Sequence, residues 1–269
     1  MSTSPTPVLE LQNVAWSKRG HTIVHGTSLA LPACGSVAII GPNGAGKSTL
    51  LSLMAGLHKP VAGQVLLGGT TMQSQPIATR AKTIGFMPQR FAPHWDITVE
   101  ELLAMRLKAA CLHTQLAPQA VLELHGMAAF AHARWSSLSG GEQARVLLCT
   151  VLATQPPVLL ADEPGAALDV RYRLELVQAL AQRGRSHLVV VVMHDLDLAF
   201  EFFDRIIVMN QGRIVLDGDR SLAMSPLLDQ HFGVRFERIN VPPQVLLKAH
   251  LQQPAMAVPS FESDVPYAD

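Results

Sequence analysis

The stretch GPNGAGKST, Gly41 to Thr49, fits the phosphate-binding pattern G-x-x-x-x-G-K-[ST] at every fixed position. It sits where that chemistry requires, between an apolar strand-like run and a helix-like one. The glycines among Gly41, Pro42, Asn43, Gly44, Ala45 and Gly46 let the backbone wrap closely around phosphates, whose charge meets unpaired N–H groups at the start of the helix. Lys47 is expected to reach the β- and γ-phosphates, and Ser48, followed by Thr49, to hold Mg²⁺ through its hydroxyl. The acidic half of such a site is supplied by VLLADEP, with Asp162 at the end of a buried strand placed to bind Mg²⁺ through water. The adjacent Glu163 faces a different way and suits a general base acting on the attacking water. A second glycine pair opens another helix in SSLSGGEQARVLL, where Ser139, Gly140 and Gly141 form a further helix start rich in backbone donors.

Positioning these residues takes a particular arrangement of elements. Residues 1–7 read as a disordered lead, followed by the strand-like VLELQNVAW and TSLALPACGSVAIIG, the second ending in a run that fits a buried parallel strand. KSTLLSLMAGL is the helix after the phosphate loop, closing near Gly56, and GQVLLGG returns as a strand. The character changes after IGFMPQ. TVEELLAMRLKAA carries a Thr98–Glu101 capping box, and mostly helical sequence continues to about Ala153. Strand and helix then alternate through PVLLADEP, ALDVRYRLELVQALAQRGR, HLVVVVMHD and LDLAFEFF, and RIIVMNQGRIVLDG predicts a hairpin turning at Asn210–Gly212. The fold class is therefore α/β: a P-loop core on a parallel sheet, with an N-terminal antiparallel β subdomain and a helical insertion over about residues 90–145. From Val241 the proline-rich sequence predicts a loosely ordered tail, so the domain is expected to span 8–240 and the tail 241–269.

Bulk composition limits the partners. Lys and Arg total 21 and so do Asp and Glu, so the zero net charge gives no electrostatic reason to propose nucleic acid. Cys34, Cys111 and Cys149 form no CxxC and lie in apolar surroundings, which predicts core thiols in a reducing compartment. The N-terminus lacks the basic and apolar regions of a secretory signal, so the chain is expected in the cytosol. No apolar run approaches the roughly 20 residues that cross a bilayer, so a membrane role requires a partner.

In order and spacing, GPNGAGKST, LSGGE and LLADEP resemble the ATP-binding subunit of an ABC transporter over about residues 8–235. The resemblance implies the ABC ATPase fold, ATP with Mg²⁺, and a head-to-tail dimer in which LSGGE of one chain covers the ATP held by the other. It also explains the second donor-rich turn. Gln89 in FMPQ resembles the Q-loop residue that reaches Mg²⁺ and water, although in isolation it reads equally well as a polar loop residue. His194 in VVVVMHD resembles the switch histidine that donates to the γ-phosphate, and Asp169 in AALD the aspartate linking the two half-sites. Gly165 stands where many relatives carry threonine. Trp16 occupies the place of the aromatic that stacks on adenine, with a core tryptophan as the alternative.

The segment RFAPHWDITVEELLAMRL resembles the part of the insertion that receives a cytoplasmic helix of the permease. A peripheral site on the cytoplasmic face of the membrane and a separate substrate-binding protein are then expected. DITVEELL, MHDLDLAFEFFDRIIVMNQGRIVLDG and FGVRFERI look like importers of iron–siderophore complexes, haem or cobalamin, whereas MPQRFAPHWD also resembles zinc or manganese importers. A soluble ABC ATPase acting on ribosomes or DNA would usually carry two such domains or a long coiled-coil insertion, and a P-loop kinase would have no use for LSGGE.

Overall fold

The runs VAII, VLLA and LVVVV are apolar at consecutive positions because both faces of their sheet are covered. The computed structural model describes residues 8–110, 117–242 and 244–251. The N-terminal part runs β1 (Leu9–Lys18), β2 (His21–Leu31), β3 (Gly35–Ile40), α1 (Lys47–Met54), β4 (Ala62–Leu67), β5 (Thr70–Thr71), α2 (Ile77–Thr83) and β6 (Ile84–Met87). Three helices follow, α3 (Val99–Ala109), α4 (Pro118–Leu124) and α5 (Gly140–Leu152). The chain then alternates through β7 (Val158–Asp162), α6 (Val170–Arg183), β8 (Leu188–Val192), α7 (Leu196–Phe202), β9 (Arg205–Asn210) and β10 (Arg213–Gly218). It closes with α8 (Pro226–Phe232), β11 (Val234–Val241) and β12 (Gln244–Leu251).

The central sheet has the order β10-β9-β3-β8-β7-β6, parallel throughout except for the antiparallel edge strand β10. Strand alternation divides its side chains between two cores. Val37, Ile39, Leu160, Val190 and Val192 face α1 and the antiparallel sheet β2-β1-β4-β5, while Ala38, Ile40, Leu159, Val189 and Val191 face the helices of the other layer. Asp162 and Ile39 both pair with Val192, so three strands end level with one another. The loops that leave those ends carry the candidate chemistry, as expected at the carboxyl edge of a parallel sheet.

The helical insertion forms as expected. Thr98 caps α3 with a reciprocal bond to Glu101, and the carboxylate of Glu101 is held below the usual range chiefly by the backbone N–H of Thr98. None of the described helices is long and apolar enough to cross a membrane.

The C-terminal expectation needs correction, because the loosely ordered tail does not begin at Val241. β11 and β12 pair in register from Val234↔Leu251 to Val241↔Gln244. Alternation explains it: Phe236 is buried, and Val234, Val245 and Leu247 pack against the same core. Arg238 fastens the hairpin to Asp229 and to the carbonyls of Ala223 and Ser225, and Asp197 accepts the Leu247 N–H at 2.9 Å. None of the prolines falls within either strand. The rest of the expected tail and the expected lead lie outside the described residues, as does Cys111. Cys34 is exposed rather than in the core, whereas Cys149 is buried on α5 with its thiol pushed up to about 11 by desolvation.

Candidate active site

The phosphate loop starts where β3 meets β9. A Cβ at Gly41 would lie 2.0 Å from the Met209 carbonyl oxygen, so only glycine lets the loop leave the strand there. At the other end α1 starts from Gly46 without a side-chain cap, which leaves its first N–H groups to a ligand. Lys47 folds back over the loop, its Nζ donating to Gly41 O at 2.8 Å and Pro42 O at 2.9 Å. Burial lowers the Lys47 pKa, and the negative charges of Glu163 and Asp162 oppose that shift.

Two adjacent carboxylates serve two different neighbourhoods. Asp162 is buried, and its Oδ1 accepts from Ser48 Oγ at 3.0 Å. Desolvation raises its pKa, the Ser48 hydrogen bond acting against this. Glu163 follows at φ +50°, a left-handed backbone that costs a residue with a Cβ roughly 1–2 kcal/mol. Its N–H donates to Val192 O at 2.9 Å, and its side chain turns away from that of Asp162 into the cleft. There Gln89 Nε2 donates to Oε2 at 2.8 Å, and His194 Nε2 lies 2.7 Å from Oε1. Gln89 comes from the loop after β6 and His194 from the loop after β8, so both reach Glu163 from neighbouring strand ends. The cleft has a volume of about 780 Å³ and is lined by Asn43 to Thr49 with Gln89, Glu163 and His194.

Ser139 and its neighbours lie elsewhere. Ser139 caps α5, donating its N–H to Glu142 Oε2 at 2.8 Å, and this capping box holds the Glu142 carboxyl below the usual range. Ser139 and Gly140 are exposed, and neither they nor Gly141 line the cleft. Asp169 is also exposed, capping α6 by accepting the Tyr172 N–H at 3.0 Å.

Trp16 is not brought to the cleft either. Its indole stacks on His58, with ring centroids 4.8 Å apart and planes 20° from parallel, and packs on the core between the sheets. Trp16 is half-buried there, and Ile23, which lines the cleft, packs against the same core. Sequence reasoning missed Ile23, His25 and Gln211, which line the cleft from β2 and the β9–β10 turn. They belong to no motif, and only the tertiary packing of β2 against that turn brings them there.

A phosphate loop with two carboxylates at the end of a neighbouring parallel strand defines a P-loop nucleoside triphosphatase. More specifically, the chain belongs to the ABC transporter family, whose description matches residues 24–166. It is 34% identical over 235 residues to a hemin import ATP-binding protein of Rhodopseudomonas palustris, covering 82% of this chain and 88% of that protein. It is 40% identical over 187 residues to a cobalamin import ATP-binding protein of Halobacterium salinarum, covering 66% of this chain and 46% of that one. Among solved structures it resembles an ATP-binding cassette in a dimeric post-hydrolysis state bound to ADP and Pi, with TM-score 0.70, 27% identity and coverage of 79% and 98% of the two chains. The reaction class is ATP hydrolysis.

Proposed function

We propose that the chain is the ATP-hydrolysing subunit of a metal-chelate importer. It works as a head-to-tail pair on the cytoplasmic side of a membrane, held there by a transmembrane permease that a substrate-binding protein supplies with cargo. The observation that carries the reading is Glu163, held between Gln89 and His194 at one end of the cleft that Lys47 and Ser48 line. Relatives named for hemin and cobalamin import support the cargo class.

Loop N–H groups and Lys47 hold the β- and γ-phosphates. The Ser48 hydroxyl and the buried Asp162 carboxylate are both hard oxygen donors, so together with phosphate oxygens and water they suit Mg²⁺. When bound, that ion neutralises charge on the phosphate oxygens. Glu163 takes a proton from the attacking water as its oxygen bonds to the γ-phosphorus, and the bond to the bridging oxygen of ADP breaks. Gln89 orients the water and would help hold the metal, and His194 donates to the γ-phosphate. Ser139, Gly140 and Gly141 present the α5 N-terminus to ATP held by the second copy, and Asp169 links the two half-sites. Beside Gln89 a groove of about 460 Å³, lined by Gly85, Phe86, Phe91, Arg106 and Val151, suits a helix of the permease.

The test mixes two variants. A Cβ at Gly141 meets nothing closer than Ala167 O at 3.5 Å, so Gly141→Asp fits its own fold while placing negative charge where a partner's γ-phosphate docks. Gly141→Asp alone should bind ATP without hydrolysing it, and Lys47→Ala alone should do neither well. Mixing them gives a head-to-tail heterodimer with one intact site, and recovered hydrolysis supports the composite site. Full activity of Gly141→Asp alone refutes it. For transport, the subunit should co-purify with a polytopic membrane protein, and Glu163→Gln should abolish hemin uptake into vesicles holding the reconstituted complex.

A further inference from the structure

Ser139, Gly140 and Gly141 stand apart from the cleft at the start of α5, so something other than the phosphate loop fixes where they point. Two segments meet just before them. The chain from Asp96 to Glu100 runs antiparallel beside residues 131–136, with Thr98 bridged to Arg134. Glu100 and Val99, whose N–H groups find no partner within α3, donate them to Ala131 O at 3.0 Å and Ala133 O at 3.1 Å, and Trp135 returns its N–H to Ile97 O at 2.9 Å. The backbone ladder stops there. The next N–H, that of Ser136, is taken by a side chain, Asp96 Oδ1, at 3.0 Å, while Arg134 Nη1 donates to Asp96 O at 2.6 Å.

Ser136 lies in the single 3-10 turn Trp135–Ser137, which Arg134 precedes without capping it. Asp96 therefore caps the turn from another segment, and the Ser136 N–H is the main reason its carboxyl is held below the usual range. From Ser136 to Ser139 the chain has little room to move. Ser137 and Leu138 donate their N–H groups to Arg134 O at 3.0 Å and Trp135 O at 3.3 Å, and the side chains of Trp135 and Leu138 are buried. From α5, Gln143 Nε2 donates to Trp135 O at 3.1 Å and to Leu138 O at 3.3 Å. A displacement of Ser136 is thus passed on to Ser139. Asp96 itself is exposed, so little of the fold depends on its side chain.

We propose that Asp96 is a positioning residue for the nucleotide of the opposite copy: by holding Ser136 it sets where Ser139, Gly140 and Gly141 dock, and it takes no part in its own chain's cleft. This rests on the composite head-to-tail site, and the experiment separates the two. ATP affinity is measured calorimetrically and kcat by phosphate release, both on the full-length protein. Asp96→Ala should leave ATP affinity unchanged and lower kcat about tenfold, inside the roughly hundredfold that a misplacement of about 1 Å can cost. Asp96→Asn keeps an oxygen for the Ser136 N–H and should restore most of kcat. Mixing Asp96→Ala with Lys47→Ala decides which site Asp96 serves. In a head-to-tail pair one site carries both lesions and the other neither, so the mixture should hydrolyse faster than Asp96→Ala alone at the same total concentration. Were Asp96 to act through Gln89 of its own chain, every mixed site would carry a lesion and the mixture would be slower than Asp96→Ala alone. A slower mixture where Gly141→Asp with Lys47→Ala does recover overturns the inference while the composite site stands. So does weakened ATP affinity or unchanged kcat in Asp96→Ala, or an equal loss in Asp96→Asn. Full activity of Gly141→Asp alone overturns the composite site and the inference with it.

Discussion

Gly165 and Arg173 form a pair whose coupling follows from their geometry. A Cβ at Gly165 would lie 2.9 Å from Arg173 Cγ, 3.7 Å from Cδ and 3.8 Å from Cβ, so the root of the arginine side chain covers the glycine. The guanidinium of Arg173 meanwhile donates to Leu168 O at 3.1 Å, next to Asp169. Replacing Gly165 by threonine, the residue many relatives carry, forces that stem aside and breaks the bond. Overpacking costs about 1–3 kcal/mol and a hydrogen bond from a charged group about 1.5–3 kcal/mol. Removing glycine freedom from the unfolded chain returns about 0.4–1 kcal/mol, so with both costs at the low ends of their ranges Gly165→Thr is destabilised by roughly 2 kcal/mol. Arg173→Ala alone loses the hydrogen bond, about 1.5 kcal/mol. In the double variant threonine enters space the arginine has left, so the combined loss should fall short of the sum by about 1–2 kcal/mol. Urea midpoints of the four proteins measure this coupling. Additivity within about 0.5 kcal/mol would refute the claim that Arg173 is why position 165 is glycine.

Three other outcomes are expected. Burial raises the Asp162 pKa in the folded protein, so its penalty is absent in acid and sets in as pH rises through that folded value. Asp162→Asn, which keeps an acceptor for Ser48, should therefore raise the thermal midpoint of the ligand-free protein at neutral pH and lose that advantage in acid; an equal effect at both would contradict the burial argument. Glu163→Gln should retain ATP affinity while turnover falls by about 10²-fold or more, measured as phosphate release, and near-normal turnover would remove Glu163 from its role as base. Arg238→Ala strips Asp229 of a half-buried partner and frees the carbonyls of Ala223 and Ser225. Hydrogen exchange should then quicken in β11 and β12 and not in β3 or β8, and unchanged exchange in the hairpin would show that its apolar contacts alone hold it.

Much of the site was legible because its chemistry is local. Gly41 to Thr49 places loop, lysine and hydroxyl within one turn of chain, and Asp162 and Glu163 are neighbours at a strand end whose apolar run is unmistakable. The left-handed backbone at Glu163, which sends the two carboxylates apart, leaves no mark in composition. Nor does the meeting of Gly212 with Ala45, which depends on how β9 and β10 pack against the phosphate loop. The C-terminal hairpin was missed for a different reason. VRFERINV alternates as a strand should, but the prolines beside it dominate composition, and the partners that hold it, Asp229 on α8 and Asp197 on α7, are distant in sequence or in another element.

Trp16 shows how one irregularity changes the face a side chain takes. Leu9 and Leu11 face the core, so uninterrupted alternation along β1 would turn Trp16 to the opposite side. The strand does not alternate without interruption. Its pairing with β2 shifts between Leu11 and Val14, its pairing with β4 shifts between Gln12 and Ala15, and Asn13 between them takes φ +50°. An extra residue in one strand moves every later side chain to the other face, so Val14 and Trp16 join Leu9 and Leu11 inside. Counting residues from the phosphate loop cannot detect this, because an aromatic residue at that distance from the loop looks the same whichever face it occupies. Asn13 is fixed in its turn by contacts far from it in sequence: its N–H donates to Ser28 Oγ at 2.9 Å, and Gly63 lies so close that a Cβ there would sit 2.3 Å from its carbonyl oxygen. The turn at Asn13 that sets which way Trp16 faces is therefore held by the sheet around it.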